Sequence, residues 1–476
     1  MADLLRFESS MLIEKPLELF VSVHESLRPM YDQVSNRIYT SAEARRHFDF
    51  LAGETLVHLD RIHASPSSSE NRSRLETFME QHTGGTPEEY GVLCLATLKA
   101  LGKYLSLYHK EALKRLRCLR TSGITITARP PNLIHKSTSH PVRPGVGTGM
   151  RDVLHDVYEL ISIIRPSTPR IELLKSEALT RTNRYFERRL RKGFRMAVSP
   201  FLRTMEFEVN SLIDSWPSHE ATPYWFARVR SSDAETGLIR ILEECMEKNI
   251  ALLVLPELTV DEALLGAARK WLRTNNRDRV AKEDKGLLMV VAGSFHRGKN
   301  EEALYNISSV LSHGGDILWT HSKLKRYALN PVDDAHAFTC FRALCKTSAA
   351  GGHERIVVGD ELVCVDTPLG RIAVCICIDF FHEDNWEAFR NSGANLFLVP
   401  AMTPAVTRFL ETARALGGAN LASSLVANSR TAVAPAKGAI SSREAGFIYV
   451  PDTKRSLSHA VDASEELLIY EVGVNG

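Results

Sequence analysis

The hydrophobic pattern of the chain changes character near residue 222. Before this point, apolar residues recur at spacings of three and four, as in Leu98, Leu101 and Leu105, and this spacing is typical of amphipathic helices. After Pro223, short apolar runs alternate with amphipathic segments, as expected for a layered α/β domain. The pattern therefore predicts a mainly α-helical N-terminal domain followed by an α/β domain.

The clearest helix start lies at Thr86, where Pro87 suits the first turn and Glu89 completes a capping box. Further along, residues 127–150 are rich in Pro, Gly, Ser and Thr, a composition typical of a linker or a long irregular loop. Helical spacing resumes after residue 150. We therefore predict four segments: a helical domain over 1–126, a linker or loop over 127–150, a basic helical segment over 151–221 and the α/β domain over 222–476.

Apolar runs in the last segment predict its strands, and Tyr224 to Val229 is the first of them. A capping box from Ser232 to Glu235 predicts the helix that follows. Gly314-Gly315 predicts a hairpin turn between two runs. The other predicted strands are ALLVLPE (251–257), LLMVVAGSF (287–295), ISSVLSH (307–313), DILWTHSK (316–323), LVCVDT (362–367), RIAVCICID (371–379), NLFLVPA (395–401) and ASSLVAN (422–428).

The small net charge of +2 conceals an uneven distribution. Residues 1–220 carry a net charge of +5 and the remainder carries −3, so the two halves are expected to meet different partners. Charge is densest over residues 110–203, which hold 20 Lys and Arg against 7 Asp and Glu. We predict a solvated or partner-facing surface there in preference to a nucleic-acid site.

Several features favour a cytoplasmic protein with no membrane span. The first ten residues include Asp3, Arg6 and Glu8 and do not resemble a secretory signal. No apolar run approaches the ~20 residues that a membrane span requires. The 8 cysteines show no paired C-x-x-C spacing, so neither a disulfide framework nor a zinc site is predicted.

Three of the predicted strands end in a reactive group: Glu257, Lys323 and Cys377. Active sites of layered α/β proteins gather at strand ends, where side chains emerge from a buried sheet. Taken singly, each group also has an ordinary structural explanation, as a first-turn carboxylate, a solvated strand end and an inert buried thiol. Their order and context must therefore decide between a catalytic and a structural interpretation of the three residues.

Order, spacing and context together resemble the nitrilase superfamily of carbon–nitrogen hydrolases. LLVLPEL supplies Glu257, HSKLKR supplies Lys323, and GRIAVCICIDFFHED supplies Cys377 with Asp379 two residues later. Flanking segments agree, among them AGSF (292–295), Tyr305-Asn306, GDELVCVDTPLG (359–370), GANLFLVPA (393–401) and VANS (426–429). The resemblance covers the C-terminal half of the chain only, and it implies a four-layer α-β-β-α sandwich that is at least a homodimer, without metal or cofactor.

The resemblance also implies a mechanism. Cys377 would be the nucleophile, Glu257 the base, and Lys323 with the backbone N–H of Ile378 the partners of the developing oxyanion. The substrate would be a small amide, carbamoyl compound or nitrile. Asp379 is the usual companion of the nucleophile. Glu354 matches a second family glutamate that orients substrate and lysine, although its interval is slightly short and a surface glutamate is the alternative.

Neighbouring residues offer alternatives. Cys375 lies on the same strand face as Cys377, but within an apolar run that favours an inert core thiol. Lys325 and Arg326 also follow the Lys323 strand. His382 and Glu383 line the pocket or cap a helix, and the polar cluster Asp333, Asp334 and His336 is interpreted as loop solvation rather than a metal site.

The sequence departs from the family over residues 414–420, where an expected glutamate is missing, and the loop over 327–353 matches no known substrate signature. The substrate class therefore stays open.

A stripe of arginines at spacings of three and four predicts a basic helix face that contacts nucleic acid or an acidic protein surface. A second class of function is therefore a hydrolase fold that serves as a binding or scaffolding module. The stripe consists of Arg181, Arg184, Arg188, Arg191 and Arg195.

Overall fold

The computed structural model describes residues 14–128, 161–329, 352–430 and 444–472, with short gaps inside these ranges, the longest over 208–223. Residues 129–150 of the linker predicted over 127–150, and the cluster of Asp333, Asp334 and His336, lie outside the described residues. Two compact units emerge, with the division at Pro166. Among the described residues, no helix is both long and apolar enough to cross a membrane.

The first unit is mainly helical, which confirms the prediction for the N-terminal domain. Its helices are α1 (Glu14–Leu27), α2 (Ala42–Ala64), α3 (Ser69–Thr83) and α4 (Pro87–Tyr108). The predicted capping box is present, since the Thr86 hydroxyl accepts from the Glu89 N–H and the Glu89 carboxylate accepts from the Thr86 N–H. A small antiparallel sheet completes the unit, with β1 (Leu119–Thr121), β2 (Ile124–Ala128) and β3 (Ile161–Ile164).

The second unit contains two large mixed sheets. One sheet has six strands and the other has seven. Short strands β6 (Glu206–Phe207), β7 (Tyr224–Trp225), β8 (Val229–Arg230), β13 (Ala328–Leu329) and β14 (Gly352–Glu354) form smaller sheets. The strands of the large sheets are β4 (Arg170–Leu174), β5 (Phe194–Val198), β9 (Ile250–Val254), β10 (Met289–Arg297), β11 (Tyr305–Ser312), β12 (Ile317–Ser322), β15 (Glu361–Thr367), β16 (Gly370–Val374), β17 (Leu396–Ala401), β18 (Ser423–Asn428), β19 (Glu444–Val450), β20 (Leu457–Asp462) and β21 (Leu468–Val472). The six-stranded sheet has the order β12-β11-β10-β9-β5-β21, and the seven-stranded sheet has the order β20-β19-β18-β17-β16-β15-β4.

Three apolar cores show that the sheets pack face to face with helices outside. One core joins the inner faces, where Val254 and Val291 pack with Val374 and Leu398. The other two cores lie between each sheet and its outer helices. The α-β-β-α arrangement is therefore confirmed. The helices of this unit are α5 (Glu177–Leu190), α6 (Ala234–Glu247), α7 (Glu262–Trp271), α8 (Arg277–Glu283), α9 (Trp386–Ser392) and α10 (Thr407–Asn420).

The sandwich begins earlier in the chain than the expected boundary at residue 222. Strand β4 pairs with β15, and β5 lies inside the six-stranded sheet between β9 and β21. Residues 170–198 thus form strand, helix and strand instead of a continuous basic helix. Helix α5 ends at Leu190, and Gly193 adopts a φ of 83°, a left-handed conformation that turns the chain into β5.

One local expectation also differs from the structure. The strand expected from Tyr224 to Val229 is divided between β7 and β8, which pair with different strands. Ser232, the predicted cap of helix α6, lies outside the described residues, and Asp233 is the residue that precedes the helix. The hairpin predicted at Gly314-Gly315 does join β11 to β12, and Gly315 has a φ of 78° there.

Candidate active site

Strand direction brings three of the polar side chains to one edge of the six-stranded sheet. Strands β9 and β10 are parallel, while β11 is antiparallel to both β10 and β12, so β12 runs in the direction of β9. Glu257 follows β9, His296 lies near the end of β10, and Lys323 follows β12. These side chains therefore emerge at the same edge.

The second sheet supplies the thiol. Cys377 follows β16, which is parallel to its neighbour β17. The backbone N–H of Glu257 donates to the carbonyl oxygen of Ala401, the last residue of β17, at 3.2 Å. This bond ties the carboxyl end of β9 to that of β17, next to the strand that carries Cys377.

The backbone at Cys377 is left-handed, with a φ of 50°. Such a conformation is costly for a residue other than glycine and is a feature of sites where a sharp turn presents a side chain. Strand β16 ends at Val374, and a 3₁₀ turn begins at Cys377 itself. The Cys377 thiol contacts the carbonyl oxygen of Met402 at 3.6 Å and is 6% exposed.

Lys323 lies between two buried glutamates. Its Nζ donates to Oε1 of Glu257 at 2.8 Å and to Oε2 of Glu354 at 2.6 Å. Burial by itself lowers the pKa of the Lys323 ammonium, but the two carboxylates outweigh burial and raise the pKa well above its usual value. Lys323 is therefore held as a cation.

Asn306 connects the same two glutamates. Its amide Nδ2 donates to Oε1 of Glu257 at 2.9 Å and to Oε1 of Glu354 at 2.8 Å. The backbone carbonyl of Asn306 also accepts the N–H of Lys323 at 2.8 Å. The sequence contained Asn306 in a matching segment, but its two contacts depend on strand register and could not be read from the motif.

The pKa values of the two glutamates move in opposite directions. Burial raises the pKa of Glu257 above its ordinary value, a shift that Lys323 opposes. Burial would also raise the pKa of Glu354, but Lys323 and a hydrogen bond from His296 lower it to about 2. Glu354 is completely buried, so the alternative of a surface glutamate does not hold.

The thiol of Cys377 is protonated in this environment. Burial raises its pKa well above the usual value, and the negative charge of Glu257 raises it further, while Lys323 lowers it. A neutral thiol is a weak nucleophile, so it must lose its proton to a neighbouring base during reaction. Glu257, whose side chain interacts with the thiol, is placed to accept that proton.

Asp379 anchors the turn that carries the thiol instead of facing it. Its carboxylate accepts the backbone N–H groups of Leu324 at 3.0 Å and Lys325 at 2.8 Å. Burial raises its pKa to about 8, against the opposing effect of Lys323. Asp379 therefore fixes the segment after Lys323 relative to the segment after Cys377. Ile378 lies between Cys377 and Asp379 in this turn.

The other candidates lie elsewhere. Cys375 is fully buried in the core beneath the outer helices. The Lys325 amine pairs with Asp384, and Arg326 donates to the carbonyl of Ile356. His382 caps the turn that follows, accepting the N–H of Asp384. No cluster of metal-ligating side chains occurs among the described residues.

The arginine stripe is divided between two elements. Arg181, Arg184 and Arg188 are exposed on helix α5, and Arg191 follows the helix end. Arg195 instead lies on strand β5, where it forms an ion pair with Glu471 at 3.1 Å. The basic face is therefore shorter than its spacing predicted.

Comparison with known proteins identifies the same half of the chain. Residues 225–420 match the family model of carbon-nitrogen hydrolases. The C-terminal half is thus similar to this family, as its motifs predicted. Among curated proteins, no sequence relative matches this chain.

Solved structures of an amidase are also similar to the chain. A variant of the amidase from Nesterenkonia AN1, described as a member of the nitrilase superfamily, is 17% identical, with a TM-score of 0.36, over 58% of this chain and 90% of that one. Another variant of that amidase, bearing an acetamide moiety on its active-site cysteine, is 17% identical, with a TM-score of 0.37, over 58% and 89% of the two chains.

Proposed function

We propose that the second unit is a thiol-dependent hydrolase of non-peptide C–N bonds, with Cys377 as nucleophile, Glu257 as base and Lys323 as oxyanion partner. The observation that carries this proposal is the convergence of a thiol, a carboxylate and an ammonium from three strand ends of two sheets. The match of residues 225–420 to the carbon-nitrogen hydrolase family supports it.

The first half-reaction would form a thioester. Glu257 accepts the thiol proton as Cys377 attacks the carbonyl carbon of an amide. Negative charge develops on the carbonyl oxygen, where the Lys323 ammonium and the backbone N–H of Ile378 would stabilise it. Protonated Glu257 then passes its proton to the leaving nitrogen, and the C–N bond breaks to release ammonia or an amine.

The second half-reaction would clear the thioester. Glu257, again ionised, takes a proton from a water molecule that attacks the acyl carbon. Collapse of the second tetrahedral intermediate breaks the C–S bond, and the proton returns from Glu257 to the Cys377 sulfur. The products are a carboxylic acid and the free enzyme.

We expect a primary amide or carbamoyl compound to be the better substrate than a nitrile. The reason is that Glu257 lies where it can protonate a departing nitrogen, a step that amide hydrolysis requires. Hydrolysis of nitriles without any hydrolysis of amides, across a broad panel, would contradict this choice.

Substitution of the two neighbouring thiols tests the proposal. Cys377→Ala should abolish amide hydrolysis, whereas Cys375→Ala should keep most of it, since Cys375 lies in the core away from Glu257 and Lys323. Release of ammonia would be measured on the same substrate panel for both variants. Activity that survives in Cys377→Ala and is lost in Cys375→Ala would refute the assignment.

A binding or scaffolding module is the alternative class of function. The reactivity of the thiol distinguishes it, because a retained catalytic site activates Cys377 and a scaffold has no need to. Mass spectrometry after brief iodoacetamide treatment should find Cys377 alkylated far ahead of the other cysteines. Uniform, slow alkylation of all the cysteines would favour the scaffold.

We further propose that the exposed arginines of α5 meet an acidic protein surface, in a homodimer or a higher assembly. Adjacent arginines repel one another unless anions face them. Reversal of Arg184 and Arg188 to Glu should therefore weaken assembly in size-exclusion chromatography. Nucleic acid as partner instead predicts binding whose logarithm falls with the logarithm of salt, by roughly 0.7–0.9 per phosphate contact.

A further inference from the structure

His296 contacts the catalytic cluster although no motif includes it. It lies one residue before the end of β10, directly opposite Asn306 on β11. Its ring Nε2 is 2.8 Å from Oε1 of Glu354, and both side chains are almost completely buried, at 1% and 0% exposure. An ionised carboxylate can only accept, so Nε2 carries the proton of this hydrogen bond.

The two glutamates differ in how many donors they receive. Glu257 accepts from Lys323 and Asn306 through Oε1, and its side chain also has a hydrogen bond with the Cys377 thiol. Glu354 accepts from His296 and Asn306 through Oε1, and from Lys323 and the Tyr327 backbone N–H through Oε2. Because donors favour the ionised form, Glu354 is the better stabilised anion of the two.

After Lys323, the His296 ring is the strongest influence that lowers the pKa of Glu354. Asn306 donates to both carboxylates and does not distinguish them. Lys323 likewise donates to both. The hydrogen bonds from His296 and from the Tyr327 backbone N–H are made to Glu354, and the His296 hydrogen bond lowers the pKa of that carboxyl.

We propose that His296 is a positioning residue that keeps Glu354 a permanent anion against Lys323, so that Glu257 alone exchanges protons with the reacting groups. This inference rests on the proposed hydrolase function. Without the His296 donor, Glu354 would bind a proton more readily, and Lys323 would then pair with Glu257 alone. A Glu257 carboxylate that pairs more strongly with Lys323 is a weaker base toward the Cys377 thiol.

The titratable groups around Glu354 define the expected pH dependence. His296, Lys323 and Glu257 face it from β10, β12 and β9, and Cys377 and Asp379 act on Lys323 from the β16 turn. With a pKa of about 2, Glu354 stays ionised wherever the enzyme is folded and active. The acid limb of the rate profile should therefore report one proton, the proton of Glu257.

Two substitutions separate the hydrogen bond from the volume of the side chain. In His296→Gln, the amide nitrogen occupies the place of Nε2 and can still donate to Glu354. In His296→Met, the volume is kept and the donor is lost. Urea unfolding would verify that both variants fold. If His296→Met does not fold, His296→Asn would replace it, because the shorter Asn side chain does not bring its amide to Glu354.

The Met variant should lose about 10- to 100-fold in kcat, the worth of a hydrogen bond to a charged group, with KM within about twofold of the wild type. Its acid limb should steepen from one proton toward two, because Glu354 then binds a proton in the same pH range as Glu257. The Gln variant should keep a one-proton limb. A Met variant with the kcat and the acid limb of the wild type would overturn the proposal, and a large rise in KM alone would show direct substrate binding instead.

A spectroscopic titration tests the same inference without turnover. In protein labelled with ¹³C at the glutamate carboxyl carbons, the Glu354 resonance is identified by its loss in Glu354→Gln. It should keep the ionised shift down to about pH 4 in the wild type and the Gln variant, and titrate above that pH in the Met variant. Titration that is the same in all three would refute the role of His296, whereas a wild type that hydrolyses no C–N substrate would refute only the proposed function.

Discussion

At the scale of single residues, the site contains a buried ammonium, Lys323, that lies between two buried carboxylates, Glu257 and Glu354. The Lys323 ammonium donates to both carboxylates. Burial nevertheless raises the pKa of Glu257, whereas Lys323 and His296 lower the pKa of Glu354 against the effect of burial. A proton acceptor with a raised pKa is the more effective base near neutral pH. The geometry thus gives the two glutamates different roles.

The pH dependence of the rate follows from Glu257. In the proposed mechanism the ionised form of Glu257 accepts the thiol proton, so activity should fall as the pH falls through the pKa of Glu257. Because that pKa is raised, the half-maximal rate should lie above the ordinary glutamate value of 4.5. The profile of kcat/KM against pH measures this midpoint. Full activity persisting below pH 4.5 would show that another group is the base.

The sequence predicted Glu257, Lys323 and Cys377, because each directly ends an apolar run within a matching motif. It did not predict the parts played by His296 and Asn306, which reach the cluster only through the register between β10 and β11. The register between β10 and β11 depends on a bulge after Val291. The local sequence does not indicate which side chains of β10 this bulge turns toward the site.

At the scale of elements, that bulge connects the fold to the site. Gly293 lies in it with a φ of 58°, and an added Cβ would overlap the carbonyl oxygen of Pro256, the residue before Glu257. The extra residue shifts the alternation of side chains along β10 by one position. Ser294 and His296 therefore lie on the same face as Val291.

Gly293→Ala should therefore damage both stability and activity. We expect a loss of about 1–3 kcal/mol from the left-handed backbone alone, with further displacement of Glu257. Gly266→Ala is the matched control, since Gly266 lies in helix α7 with open space around it and should gain about 0.5–1 kcal/mol. Urea unfolding measures both changes. Equal stability of the two variants would contradict the role of the bulge.

At the scale of the whole molecule, the sandwich needs residues that the sequence pattern assigned to another segment. The arginine spacing over 181–195 suggested one long helix, but the FRMAV run at 194–198 is a central strand. Arg195 lies directly opposite Glu471 on the edge strand β21, and this ion pair lets a charged residue occur in an otherwise buried strand. Spacing alone could not reveal this tertiary pairing.

Truncation tests where the second unit begins. A chain of residues 166–476 should fold, because it retains β4 and β5. A chain of residues 222–476 should not, because removal of β5 separates β21 from β9 in the six-stranded sheet. Circular dichroism and cooperative thermal unfolding compare the two. Equal, cooperative unfolding of both chains would place the boundary at residue 222 instead.

Detection of an acyl group on Cys377 is the decisive measurement for the proposed hydrolase. Intact-mass spectrometry of the full-length protein, quenched in acid during turnover of a panel of small amides, should show an added acyl mass that maps to Cys377. The adduct should accumulate in Cys375→Ala as in the wild type and be missing from Cys377→Ala. An acyl group on any other residue, or substrate turnover that continues in Cys377→Ala, would contradict the account.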